Sequence, residues 1–151
     1  LLGFLVAAGL VSLVGSMAGI GDWYDGLRKP LWNPPGWVFG PVWAVLYLMM
    51  AVAAWQVWEQ AHVLSRRATA WWFLQLALNG AWSWIFFGLQ RPGLALIEMS
   101  FLWLAILATI RLFRRIRGSA ASLMVPYLAW VSFAWLLNFS IWWMNGGKYA
   151  F

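Results

Sequence analysis

The stretch WVFGPVWAVLYLMMAVAAWQVWEQA, residues 37–61, decides the fold class because it is long, apolar and almost free of charge. Its one charged residue is Glu59, close to its end. A hydrocarbon layer about 30 Å thick needs roughly 20 apolar residues in a helix that rises about 1.5 Å per residue. The stretch meets this requirement, so we expect it to cross a membrane as one α-helix.

Four further stretches have the same character, at about residues 2–20, 70–88, 93–112 and 121–143. Of the whole chain, 64% is hydrophobic and 9% is charged, whereas soluble proteins carry roughly 25% charged residues. Short connectors make consecutive spans antiparallel, and backbone groups in lipid must be paired within each helix. The sequence therefore predicts an all-α integral membrane protein, with residues 1–151 forming one five-transmembrane-helix up-down bundle.

The net charge of +6 fits a membrane surface rather than nucleic acid, because the basic residues lie in the predicted connectors. Six of them fall on one side and four on the other: Arg66, Arg67, Arg111, Arg114, Arg115 and Arg117 against Arg28, Lys29, Arg91 and Lys148. The positive-inside rule places the N-terminus in the cytoplasm. We expect a bacterial cell membrane, from the short C-terminus and the lack of a targeting segment.

Metal and thiol chemistry are not expected. The chain has no cysteine, which excludes thiolate ligands and cysteine nucleophiles. Its one histidine, His62, lies in a connector, where it is poorly placed to ligate a haem in the bundle. Glu98 lies deep in a predicted span, where an ionisable group suggests a function, although a structural role is the alternative.

A polar loop at residues 22–36, DWYDGLRKPLWNPPG, joins the first two spans. Three prolines remove backbone donors and fix φ, so we expect no helix in it. Its tryptophans Trp23 and Trp32, with Trp37 just beyond, are more apolar mass than a solvated linker needs. The loop either folds back as a lid over a cavity or lies in the headgroup layer.

Tryptophan is unusually abundant, with 15 residues. An aromatic belt at the membrane interface explains those near span ends: Trp37, Trp58, Trp71, Trp72, Trp142 and Trp143. It does not explain those inside spans, which are Trp43, Trp82, Trp103 and Trp130.

Helical spacing places these inner tryptophans on shared faces with polar and small residues. The three stripes are Trp43, Tyr47, Met50 and Ala54; Gln75, Asn79, Trp82 and Phe86; and Tyr127, Trp130, Ala134 and Asn138. An amide in lipid should face the bundle interior. The stripes either line one cavity, or their polar groups only bond across helices.

Three segments together resemble one known family. They are WYDGLRKPLWNPPGWVFGPVWAVLY (residues 23–47), LALNGAWSWIFFGL (76–89) and VPYLAWVSFAWLLNF (125–139). They are similar, in the same order, to the translocator proteins, also called tryptophan-rich sensory proteins. The resemblance implies a five-helix bundle, often a homodimer, that binds protoporphyrin IX or haem as a ligand, with isoquinoline carboxamides and benzodiazepines entering the same pocket.

The resemblance also implies which residues bind. The family's pocket positions match Tyr24, Trp43, Tyr47, Asn79, Trp82, Trp130, Ala134 and Leu137, which extend the stripes found from spacing. Arg28 and Lys29 of the loop would serve the propionates. No obligatory cofactor is implied, and Phe139 stands where a cholesterol-recognition tyrosine would fall, which disfavours sterol binding.

Three functions follow from this resemblance. The leading one is a membrane tetrapyrrole sensor or receptor. The second is a light-dependent porphyrin-degrading enzyme, in which Trp43 and Trp130 would carry the electron step. The third is a porphyrin or sterol transporter, although the chain lacks the broken helices and paired ionisable groups of coupled transport.

Overall fold

The computed structural model describes residues 1–19 and 21–147, and in this part of the chain every regular element is helical. The helices are α1 (Leu2–Ser16), α2 (Asp22–Asp25), α3 (Gly36–Trp58), α4 (Ser65–Ser83), α5 (Pro92–Ile116) and α6 (Gly118–Met144). A π-helical segment, Trp84–Gly88, extends α4. Ile20, where the first span was predicted to end, lies outside the described residues. So does Lys148, one of the basic residues counted for the orientation.

Among the described residues, three helices, α3, α5 and α6, are long and apolar enough to cross a membrane. Helix α1 is apolar but has 15 residues. Helix α4 carries Arg66, Arg67, Gln75 and Asn79, which lower its hydropathy. The protein is therefore an integral membrane protein, while five spans remain a prediction, because the described chain has six α-helices.

The long helices form a closed ring. Helix α1 packs on α3 and α4, α6 packs on α3 and α5, and α4 packs on α5. Gly80 of α4 lets α1 approach, because a Cβ there would lie 3.1 Å from Val11 Cγ1. At Gly15 a Cβ would lie 3.2 Å from Ser83 Oγ, so this glycine packs α1 on α4 within one chain. Ala77 and Ala81 are exposed.

The loop was wrongly predicted to contain no helix, since Asp22–Asp25 forms a single helical turn. The prolines act only on themselves and on the residue before each of them. Pro30 is the first of the three, so residues 22–25 remain free to turn. After this turn the loop has no regular structure up to Gly36, where α3 begins.

The last predicted connector is shorter than expected. Arg111, Arg114 and Arg115 lie on α5, and Arg117 alone separates it from α6. Arginines suit this position because cations favour the C-terminal end of a helix and their long side chains reach the interface.

Two apolar clusters fill the bundle at its opposite ends. The larger contains Met50, Trp72, Leu102, Phe113 and Tyr127. The smaller lies beneath the loop and contains Leu27, Phe86, Ala95, Leu137 and Ile141.

Trp72 was wrongly predicted to belong to an aromatic belt at the membrane interface, since it is 0% exposed. Its indole N–H donates to the Met50 carbonyl at 3.1 Å. That bond satisfies the one polar group of the indole, so the ring can be buried in the core.

Candidate functional site

A cavity of about 660 Å³ lies inside the ring, beneath the loop. This volume falls within the usual range for small-molecule sites, about 300–1,000 Å³. Five helices and the loop contribute to its wall. All eight residues predicted to bind line it: Tyr24, Trp43, Tyr47, Asn79, Trp82, Trp130, Ala134 and Leu137.

The helical stripes reach the cavity over only part of their length. Phe86 and Asn138 also line it, whereas Met50, Ala54 and Gln75 are fully buried away from it in the core. Helical spacing identifies a face correctly, but it does not tell where packing along that face gives way to open space.

Asn79 connects three helices through hydrogen bonds. The Tyr47 hydroxyl of α3 donates to Asn79 Oδ1 at 2.5 Å. Asn79 Nδ2 in turn donates to the Tyr127 hydroxyl of α6 at 3.1 Å. The cross-helix interpretation therefore holds for Asn79 and Tyr127, while Asn79 and Tyr47 also form cavity wall. These bonds fix the position of the Tyr47 ring.

Aromatic rings make up much of the cavity wall. The Trp43 ring centroid lies 5.4 Å from that of Tyr47 and 6.2 Å from that of Tyr127. Trp82 stacks on Phe86 at 5.2 Å between centroids, with planes 25° apart. Such ring pairs hold each other in place. The cavity therefore presents flat, oriented π surfaces.

The loop contributes the charged part of the wall. Lys29 lines the cavity, and its Nζ lies 4.4 Å from the centroid of the Tyr24 ring. Burial raises the pKa of the Tyr24 phenol above its usual value, with Asp25 adding to the rise and the bond to Asn33 opposing it. Lys29 therefore lies over a neutral ring at and beyond physiological pH.

The loop packs against the rest of the bundle. The Tyr24 ring lies 5.4 Å from Phe87, and the Trp23 ring 5.8 Å from Phe86, between centroids. Trp32 contacts Phe133 at 5.7 Å. Trp37 does not take part, since it is 77% exposed.

Arg28 is exposed and does not line the cavity. Its backbone is instead held by Asn145, just after α6. Asn145 accepts from the Arg28 N–H at 3.1 Å and donates to the Arg28 carbonyl at 2.9 Å. This pair fixes the loop to the opposite end of the chain.

Sequence reasoning missed the contribution of α1. Ser12, Gly15 and Ser16 line the cavity. The signal was present as two serines four residues apart in an otherwise apolar stretch, which places both on one helix face.

Glu98 is half-buried and does not line the cavity. Neither of its carboxylate oxygens has a hydrogen-bond partner in the described part of the chain. No cluster of three histidines or carboxylates occurs among the described residues, so they offer no evident metal site.

The chain is similar to known proteins over nearly its whole length. The sequence profile of the TspO/MBR family matches residues 1–144. The human translocator protein is 40% identical, with 97% of this chain and 90% of the relative aligned. The tryptophan-rich sensory protein of Cereibacter sphaeroides is 40% identical, over 96% and 90%. Protein CrtK of Rhodobacter capsulatus is 37% identical, over 96% and 92%.

Proposed function

This chain belongs to the TspO/MBR family, and on that premise we propose that it is a membrane sensor that binds a tetrapyrrole in the cavity beneath the loop. Protoporphyrin IX and haem are the ligands of this class, and isoquinoline carboxamides or benzodiazepines would enter the same cavity. The observation that carries the proposal is a cavity of about 660 Å³ with tryptophans on three helices: Trp43, Trp82 and Trp130.

The shape and chemistry of the wall support a flat conjugated ligand. A tetrapyrrole disc gains dispersion and stacking energy from indole and phenyl faces. The wall offers such faces from Phe39 and Trp130, whose centroids are 5.9 Å apart, and from the stacked Trp82 and Phe86. A flat ligand in the cavity could therefore contact aromatic rings from α3, α6 and the end of α4.

The charged groups of the wall support one orientation of a bound tetrapyrrole. Lys29 is the only basic residue of the described chain that lines the cavity, and it lies in the loop. The carboxylates of a tetrapyrrole would therefore face the loop, where they also stay close to water. The hydrocarbon edge of the disc would then lie deepest in the bundle.

Quenching of tryptophan emission tests binding. We expect protoporphyrin IX to quench the purified protein with a saturable curve and one site per chain. Trp130→Ala should weaken binding by about tenfold or more, since a large aromatic face is lost. Trp143→Ala is the matched control, because Trp143 is exposed and does not line the cavity. Non-saturable quenching, or equal affinity in both variants, would contradict the proposal.

Light-dependent degradation of the same ligand is a second candidate. It is favoured by the position of Trp43 and Trp130, which both line the same cavity. Illumination of the complex should then produce a new absorption band that Trp43→Phe and Trp130→Phe suppress. A bound spectrum that is unchanged after illumination would leave the protein a sensor alone.

We further propose a homodimer with the N-terminus in the cytoplasm. The six-to-four distribution of basic residues supports the orientation. Light scattering in detergent tests the homodimer. The orientation is tested with the variant Ser119→Cys, whose thiol is labelled from either side of a vesicle.

A further inference from the structure

Exposed residues line the cavity along one part of its wall. They belong to the end of α1 and the segment just after it, to the loop, and to the first turns of α3: Ser16, Gly19, Asp25, Pro35, Gly36 and Gly40. The lining residues contributed by α4, its π-helical extension, α5 and α6 are all buried or half-buried. The cavity therefore opens to the outside between the end of α1 and the start of α3, beside the loop.

Glycines keep this opening clear on the α3 side. Gly36 and Gly40 are about one helical turn apart, and a Cβ at either position would meet nothing within 4 Å. Another face of α1 is closed, because a Cβ at Gly15 would lie 3.2 Å from Ser83 Oγ of α4. The gap thus lies between α1 and α3, and not between α1 and α4.

The surface around the opening is apolar. Leu13 of α1 lies beside Ser16 on the helix surface, because residues three apart are neighbours there, and it is 60% exposed. Met17 and, on α3, Trp37 are also exposed. Exposed apolar side chains of a membrane protein face lipid, and indole rings favour the interface between hydrocarbon and headgroups. The opening therefore faces the bilayer, close to the bilayer surface.

The loop forms the polar edge of the opening. Pro35 leads directly into α3, and Asp25 and Lys29 line the cavity from the loop. A tetrapyrrole dicarboxylate lies in a bilayer with its carboxylates near the headgroups and its disc in the hydrocarbon, because both burying the charges and exposing the disc to water are unfavourable. In that orientation its carboxylates are already on the side of Lys29.

We propose that the ligand enters the cavity sideways from the bilayer, through the opening between the end of α1 and the start of α3. This inference rests on the proposed tetrapyrrole binding. It restricts the ligands to amphiphiles that dissolve in lipid, with a flat apolar body and acidic groups at one edge. Such a ligand reaches the cavity without first passing into water.

Cysteine labelling tests this route, because the chain has no cysteine of its own. In Leu13→Cys the thiol lies at the edge of the opening but outside the cavity, which Leu13 does not line. A bulky, lipid-soluble thiol reagent attached there should slow protoporphyrin IX association in liposomes by about fivefold or more, measured by stopped-flow tryptophan quenching. Dissociation should slow by a similar factor, because a narrowed entrance hinders passage in both directions.

Three more variants complete the experiment, and each is compared with its own unlabelled form so that the effect of the substitution cancels. Gly40→Cys places the label on the α3 side and should also slow association. Gly3→Cys is the matched control, because Gly3 is exposed on the same helix, about 15 Å from Leu13 at about 1.5 Å per residue, and does not line the cavity. Asp25→Cys places the label on the loop, where a ligand arriving from water would pass, and should slow association less than Leu13→Cys.

The outcomes separate the route from the binding. If labelled Leu13→Cys and Gly40→Cys take up protoporphyrin IX as fast as labelled Gly3→Cys, the lateral entrance is overturned and tetrapyrrole binding stands. The same holds if the label on Asp25→Cys slows association more than the label on Leu13→Cys. If the unlabelled wild type shows no saturable binding, the proposed function fails, and the entrance fails with it.

Discussion

Asn145 holds the backbone of Arg28 with both ends of its amide, at 3.1 and 2.9 Å, across 117 positions of the chain. One residue thereby connects the loop to the end of α6 without using the Arg28 side chain. The loop carries Tyr24 and Lys29 of the cavity wall. The position of these two side chains therefore depends on the end of a distant helix.

Removing this contact should loosen the loop. Asn145→Ala removes both hydrogen bonds to Arg28, of about 1 kcal/mol each, as well as the bond to the Ile141 carbonyl. We therefore expect the ligand dissociation rate to rise by about three- to tenfold. Stopped-flow tryptophan fluorescence measures the rate. Ser140→Ala is the control, because Ser140 bonds only to its own helix. An unchanged rate in Asn145→Ala would show that the loop does not limit ligand exit.

The loop lysine should recognise carboxylates. We expect Lys29→Gln to weaken protoporphyrin IX binding by about three- to tenfold, since an opposite charge near the ligand's carboxylates is removed. The dimethyl ester of protoporphyrin should bind both forms alike. Arg28→Gln is the matched control, because Arg28 is exposed and does not line this cavity. Equal losses in both variants would indicate a general charge effect instead.

Arg28 and Lys29 show how far the sequence predicts this site. Because they are adjacent in the loop, both were predicted to bind the propionates. The backbone contact with Asn145 separates them, and no local pattern announces a partner so far along the chain. The spacing of Trp43, Tyr47, Asn79 and Trp130 did place these residues on shared helix faces, because helical periodicity depends on local geometry alone. It left open whether those faces line a cavity or only bond across helices.

Other features depend on packing that sequence does not report. Trp72 looked like an interfacial residue, but the Met50 carbonyl accepts its indole N–H inside the core. The π-helical segment after α4 was also missed. The Trp84 indole at its start donates to the Val14 carbonyl of α1 at 3.0 Å, and a local sequence pattern does not show such a contact between helices.

The bonds through Asn79 should stabilise the bundle. Tyr127→Phe removes one hydroxyl and should lower the free energy of unfolding by about 0.5–1.5 kcal/mol. Asn79→Leu should cost more, because it leaves the hydroxyls of Tyr47 and Tyr127 without their partner. Thermal unfolding in detergent measures both. Equal stability of Asn79→Leu and the wild type would show that these bonds contribute nothing.

The close approach of α1 to α4 requires a small residue at Gly80. Gly80→Leu should destabilise the fold by about 1–3 kcal/mol, because its side chain would meet Val11. Gly9→Leu provides the control, since a Cβ at Gly9 meets nothing within 4 Å. The melting temperatures of the two variants should differ, and a similar melting temperature would contradict the packing described.

The most direct test of tetrapyrrole binding inside the bundle is to fill the cavity. Ala134 lines it, whereas Ala77 is an exposed alanine on α4. Titration of protoporphyrin IX in the dark, followed by absorption, should give one saturable site in the wild type and in Ala77→Phe, and no saturable binding in a folded Ala134→Phe. Undiminished binding in Ala134→Phe would place the ligand outside this cavity and contradict the account.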